Sequence, residues 1–178
     1  MRYLNHLIGD TRRFKVLFLS EHNASRSVLA EALLNRLGAG RFEAWSAGVN
    51  PAETLSPYAV DLLKKMRYDV KTLTPKTLGM FTGEQAPRLD FVFRLSSTVS
   101  ENALPPFIGK PMTVDWPLPD PDNSAGSPAE IATAYASLFA NLTNRIGIFV
   151  SLPTASLESM AVRARLDRMG EQGLGLTG

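Results

Sequence analysis

The 178-residue chain contains no cysteine. Disulfides, thiolate metal centres and redox cycles that run through sulfur are therefore excluded for the sequence as it stands. Histidine is nearly absent too: His6 and His22 have no partner at metal-ligand spacing, so no metal site is expected. No run approaches the ~18 apolar residues of a membrane span. The opening Met1-Arg2-Tyr3-Leu4 lacks the apolar core and cleavage site of a secretory leader. A cytoplasmic protein without membrane contact is the expectation. The net charge is only +2 and the charges are interspersed, which does not suit a nucleic-acid partner and favours small anions.

Apolar residues make up 44% of the chain, enough for one sizeable core at this length. Residues 1–13, with Arg2, Arg12 and Arg13, read as an arm or short leading helix, 14–170 as a single domain and 171–178 as a tail. Residues 15–19 form a nearly continuous apolar run, the pattern of a strand covered on both faces. A helix follows from Ser27 to Leu37 with Leu29, Leu33 and Leu37 at helical spacing, and Gly38 supplies a stop. Residues 41–48 alternate like a second strand, and Ser56-Pro57 opens a second helix through Leu62 and Met66.

Asp90 to Leu95 and Lys110 to Asp115 read as two more strands. Ser127-Pro128-Ala129-Glu130 is a capping box that opens a long helix with Ile131, Tyr135, Leu138, Leu142, Ile146 and Phe149 on one face. Pro153 ends it, and a last helix runs to about Met169 with Arg163, Arg165 and Arg168 expected on a solvated face. This alternation predicts an α/β fold: an open, mostly four-stranded parallel sheet flanked by helices on both faces, with its ligand beyond the carboxyl ends of the strands.

The first strand breaks at Ser20 into a short polar loop, Glu21, His22, Asn23, Ala24 and Ser25, which enters the helix at Arg26 and Ser27. A helix N-terminus offers unpaired N–H groups and the positive end of the helix dipole. With Arg26 beside them, residues 21–27 read as a cradle for a phosphate-like oxyanion. By spacing alone, Ser20-x5-Arg26 also suits an N-cap and a surface arginine. Asp120 equally suits a turn before proline, with Asp122 as a second acidic candidate.

The loop resembles that of low-molecular-weight protein tyrosine phosphatases and of the related thioredoxin-coupled arsenate reductases. The likeness continues through Ala30 to Asn35, Ser46-Ala47-Gly48, Pro57 to Leu63, Phe91-Val92-Phe93, Trp116 to Pro121 and Ser151-Leu152-Pro153, and is nearest the reductase branch. The resemblance implies the phosphatase-like fold and a phosphate-binding loop, or P-loop. It implies that Arg26 binds the oxyanion bidentately and that the N–H groups of Glu21 through Ser27 complete the cradle. Asn23 would prop the loop with help from Ser46, Ser27 would hydrogen-bond the nucleophile, and Asp120 would protonate the leaving oxygen. No cofactor is implied.

The departures matter as much. Ser20 stands where the family has its nucleophilic Cys, and the relay segment of the reductases reads Leu95-Ser96-Ser97 and Leu104 here. Serine oxygen cannot climb the sulfur redox ladder, so arsenate reduction is not expected. The expectation is a protein that binds phosphate, arsenate or a phosphorylated residue and is catalytically impaired. The alternatives are an active phosphomonoester hydrolase with His22 activating Ser20, the Cys-to-Ser form of an active phosphatase or arsenate reductase, and a non-enzymatic regulatory protein using the long amphipathic helix. Arg94 would either add a second charge at the loop or be turned away by strand alternation.

Overall fold

The computed structural model describes residues 12–123 and 125–174. Its four strands are β1 (Phe14–Ser20), β2 (Phe42–Gly48), β3 (Phe91–Arg94) and β4 (Met112–Asp115), and its helices α1 (Arg26–Leu37), α2 (Pro57–Lys65), α3 (Pro128–Val150) and α4 (Thr154–Leu174). The strands are parallel and lie in the order β2-β1-β3-β4. The chain leaves β1 toward β2 on one side and returns to β3 on the other. The carboxyl end of β1, at Ser20, is thus the switch point where open α/β sheets bind ligands.

Strand alternation splits the core in two. Phe14, Val16 and Phe18 of β1 join Phe42, Ala44, Phe91 and Phe93 on one face, while Leu17, Leu19 and Val92 point to the other. Both sets are buried, which is why β1 reads as an uninterrupted apolar run. Phe149 of α3 closes the first face, its ring 5.2 Å from Phe42, 5.3 Å from Phe91 and 5.1 Å from Phe93.

All four α-helices contribute buried residues to this first cluster. The second face is covered instead by short 3-10 turns, Leu78–Phe81 and Glu101–Ala103, and by the segment around Phe107. Pro75, Gly79, Gly83 and Pro87 in one connection and Pro105, Pro106 and Gly109 in the other leave no room for a longer helix.

The capping signal at Ser127 holds: its Oγ accepts the Glu130 N–H at 3.3 Å. α4 runs past Met169 to Leu174, carried by Glu171 and Gln172 beyond the weak stop at Gly170. Two arginines expected in solvent on this helix are instead tied down. Arg165 donates to the Gly109 carbonyl at 2.9 Å and to Asp90 at 2.7 Å, and Arg168 donates to Thr113 Oγ1 at 2.8 Å. Their long side chains reach back over the edge of the sheet, which a helical pattern alone does not reveal.

Residues 1–11 of the expected arm and 175–178 of the expected tail lie outside the described residues, as does Ser124. Among the described residues no helix is long and apolar enough to cross a membrane, and no group of three His, Asp or Glu is placed to hold a metal ion.

Candidate oxyanion site

Residues 21–25 link β1 to α1 in a turn tied to the segment after β2. The N–H groups of Val49, Asn50, Ala52 and Ser56 reach the carbonyls of Ser20, Glu21, His22 and Ala24 at 2.8 to 3.3 Å. With these acceptors held by the segment that follows β2, the loop is pinned at four points. Asn23 supplies the necessary bend with φ 48°, in the left-handed region that Asn tolerates better than most residues.

Gly48, at the end of β2, lets the loop sit close. A Cβ there would lie 3.0 Å from the Glu21 carbonyl and 3.1 Å from Asn23 N and Cβ. Gly48→Ala is expected to cost about 1–2 kcal/mol by overpacking. Urea denaturation checks it, and an unchanged midpoint would show that the loop has slack.

The side chains of the loop form one chain of hydrogen bonds. Asn23 Nδ2 donates to Ser27 Oγ at 2.8 Å, Ser27 Oγ lies 2.7 Å from Ser20 Oγ, and the Asn23 N–H reaches Ser20 Oγ at 3.2 Å. With Asn23 occupying one lone pair of Ser27, the Ser27 proton can turn to Ser20. Position 20 then receives two donors, surroundings suited to an anionic atom. Ser20, Asn23 and Ser27 are all buried.

Ser46 does not prop the loop directly. Its hydroxyl donates to Glu31 of α1 at 2.5 Å, and Asn23 Oδ1 is held by the Lys76 N–H at 2.7 Å. Ser46 is on the face of β2 that packs against α1, so its nearest polar partner is the helix carboxylate. Lys76 closes the link, its Nζ 3.4 Å from Glu31 Oε2. Burial raises the Glu31 pKa above the ordinary value, with the Lys76 charge and the Ser46 hydrogen bond opposing it. Neither Glu31 nor Lys76 was singled out from the sequence. The signal for Glu31 was a charge set among the apolar positions of α1; Lys76 offered none.

Arg26, the first residue of α1, is buried and already engaged. It donates to the Leu118 carbonyl at 2.9 Å and to Asp120 Oδ2 at 3.2 Å, across 92 and 94 residues of sequence. Three of the five guanidinium N–H groups are not used by these two contacts. Asp120 Oδ1 accepts the Asp122 N–H at 3.1 Å, so this carboxylate is both turn-former and arginine partner.

Asp122 turns the other way, taking the Tyr135 hydroxyl at 2.5 Å; that hydroxyl is also 2.6 Å from Ser56 Oγ. Burial and the Asp122 carboxylate push the Tyr135 pKa up, so it stays a donor. Ser20, Arg26, Asp120 and Asp122 border one cavity of about 380 Å³, together with His22 and Tyr58.

Two further candidates are engaged with other partners. His22 Nδ1 lies 3.0 Å from the Asn50 carbonyl, which can only accept, so Nδ1 carries the proton there and the ring is not bonded to Ser20. Arg94 is turned aside, donating to Asp115 Oδ2 at 2.6 Å and to the Val99 carbonyl at 3.1 Å. The Ser96 segment does approach the loop: Ser96 Oγ is 3.0 Å from Thr98 Oγ1, which donates to Glu21 Oε2 at 2.9 Å.

Residues 15–147 match the family described as low molecular weight phosphotyrosine protein phosphatase. The glutaredoxin arsenate reductase of Synechocystis sp. is 27% identical over 111 residues, 62% of this chain and 81% of that protein. The arsenate reductase from Archaeoglobus fulgidus shares the fold at a TM-score of 0.62 and 25% identity, over 77% of this chain and 99% of that one. An arsenate reductase in its phosphate-binding state has a TM-score of 0.58 and 26% identity, over 75% of this chain and 96% of that one. With the match spanning both the sheet and the loop at its switch point, the chain belongs to the low molecular weight phosphotyrosine protein phosphatase family.

Proposed function

We propose that the loop from Ser20 to Ser27 binds a tetrahedral oxyanion, either phosphate or arsenate free in solution or the phosphoryl group of a phosphorylated residue, and that this chain turns such ligands over poorly. The observation that carries the reading is the tethering of the Ser20, Glu21, His22 and Ala24 carbonyls at 2.8 to 3.3 Å, which pins the loop and the start of α1 beside the cavity that Ser20 and Arg26 line. A similar arsenate reductase in a phosphate-binding state supports the same ligand chemistry.

Poor turnover follows from the atom at position 20. A serine hydroxyl needs an adjacent base to become a nucleophile. Ser20 Oγ has Ser27 Oγ and Asn23 N as its neighbours, and His22 is bonded to the Asn50 carbonyl, so among the described residues no base is in hydrogen-bond contact with it. This geometry favours binding over hydrolysis by the Ser20 protein. The long-helix alternative has less support, because Tyr135, Leu138, Phe139, Leu142, Ile146 and Phe149 of α3 are spent on the chain's own core.

Titration calorimetry with phosphate and arsenate tests the binding step. Charge-assisted hydrogen bonds are worth ~1.5–3 kcal/mol each, so Arg26→Ala is expected to weaken the anion's Kd by about 10- to 100-fold. The reading fails if neither anion binds, or if Arg26→Ala binds as tightly as the parent.

A further inference from the structure

The end of the sheet opposite the oxyanion loop gathers more positive charge than the fold itself uses. Five cationic side chains, Arg12, Arg13, Lys15, Arg88 and Arg165, border a cavity of about 350 Å³ with one carboxylate, Asp90. They come from the start of β1, the approach to β3 and the outer part of α4. Asp90, 6% exposed, accepts Arg12 at 3.1 Å, Arg165 at 2.7 Å and the Lys15 N–H at 2.9 Å. Those contacts give Arg12 and Arg165 a structural use, joining α4 to the sheet.

Arg13, Lys15 and Arg88 have no such use. None has a side-chain partner among the described residues, and Arg13 and Arg88 are exposed. They line the same hollow as Arg12 and Arg165. Like charges gathered in one hollow repel. The single Asp90 carboxylate, already taken by three donors, cannot offset five cations.

We infer that this basic hollow is a second anion site, for a small ligand carrying several phosphoryl groups, such as a condensed phosphate chain. The forked guanidinium groups match phosphoryl oxygens in geometry. Every described residue that lines it is charged, and none of them is an aromatic platform for a base. The site therefore reads the phosphate chain, whether it comes free or as part of a nucleotide. Nothing in this inference depends on the oxyanion loop being functional.

Calorimetry of the full chain with inorganic tripolyphosphate at low salt tests it. The double variant R13A/R88A is expected to weaken binding by a factor on the order of 10 to 100, whereas R26A leaves it unchanged. R13Q/R88Q, which keeps the length of polar side chain, is expected to bind as weakly as R13A/R88A with an unchanged Tm, separating lost charge from lost fold. Binding should also fall steeply as salt is raised. ATP is expected to bind about as tightly as tripolyphosphate. The inference is overturned if tripolyphosphate does not bind, if R13A/R88A binds it like the parent, or if R26A alone abolishes binding. A site that takes ATP but not tripolyphosphate also overturns it.

Discussion

Ser20→Cys is expected to hydrolyse an aryl phosphate faster than the Ser20 protein by a factor on the order of 10² or more. The surroundings of position 20 already suit a thiolate: Ser27 Oγ at 2.7 Å, the Asn23 N–H at 3.2 Å and the N-terminus of α1. Such surroundings draw a cysteine pKa from ~8.5 down to ~3.5–7.5, so the sulfur is ionised at neutral pH where the serine oxygen is not. The thiolate would displace the aryl oxide from phosphorus, Asp120 would give the departing oxygen its proton, and water would then free the phosphate from sulfur. Asp120 must first leave Arg26, which holds it at 3.2 Å. Product release from the two proteins, measured side by side, decides the matter; equal rates would show that the cradle is not arranged for phosphoryl transfer. The same variant should not sustain arsenate reduction, because Leu95, Ser96, Ser97 and Leu104 provide no second thiol.

Lys76→Met should destabilise the fold by about 2–3 kcal/mol at neutral pH, somewhat less than the 3–5 kcal/mol typical of breaking a fully buried pair. The Lys76 side chain is 13% exposed and that of Glu31 10%, so loss of the lysine strands a carboxylate among the buried residues of α1. The sign with pH follows from Glu31. Its pKa is raised in the folded state because burial outweighs Lys76 and Ser46, so the folded protein holds this proton more tightly than the unfolded chain. Stability therefore falls as pH rises from the ordinary carboxyl value through the raised one.

Removing Lys76 removes the largest opposing influence and carries the raised value higher. The deficit should be greatest at neutral pH and shrink toward acid, where Glu31 is neutral in both states. Urea denaturation across this range checks the prediction, and Glu31→Gln added to Lys76→Met should abolish the pH dependence. A deficit of equal size at every pH would mean that Lys76 acts through packing alone. Because the Lys76 N–H also holds Asn23 Oδ1 at 2.7 Å, this variant reports on the support behind the loop as well.

Much of this was legible in the sequence, and particular residues show where legibility stopped. β1 was readable because both of its faces are buried, and α3 because its capping serine and proline sit within four residues of one another. The short second-face turns were not readable as such, since their shape depends on which core they cover. Arg165 and Arg168 looked like a solvated face because helical spacing gives direction around an axis and nothing about what stands opposite. Ser46 reads from the sequence as helping Asn23 to hold the loop, and the packing of α1 on β2 decides that its proton goes to the Glu31 carboxylate, fifteen residues earlier.

The sequence by itself determined the fold class, the strand-to-helix loop and its family, and the loss of thiol chemistry. These rest on residue type and on spacings of a few positions, where chain geometry leaves little freedom. The tertiary structure alone decided the pairing of Arg26 with Asp120, the link from Ser46 through Glu31 and Lys76 to Asn23, and the gathering of Arg13, Lys15 and Arg88 around one hollow. Each joins residues that only the order and register of the strands bring together, and a polar contact depends on a few ångströms that composition and periodicity do not carry.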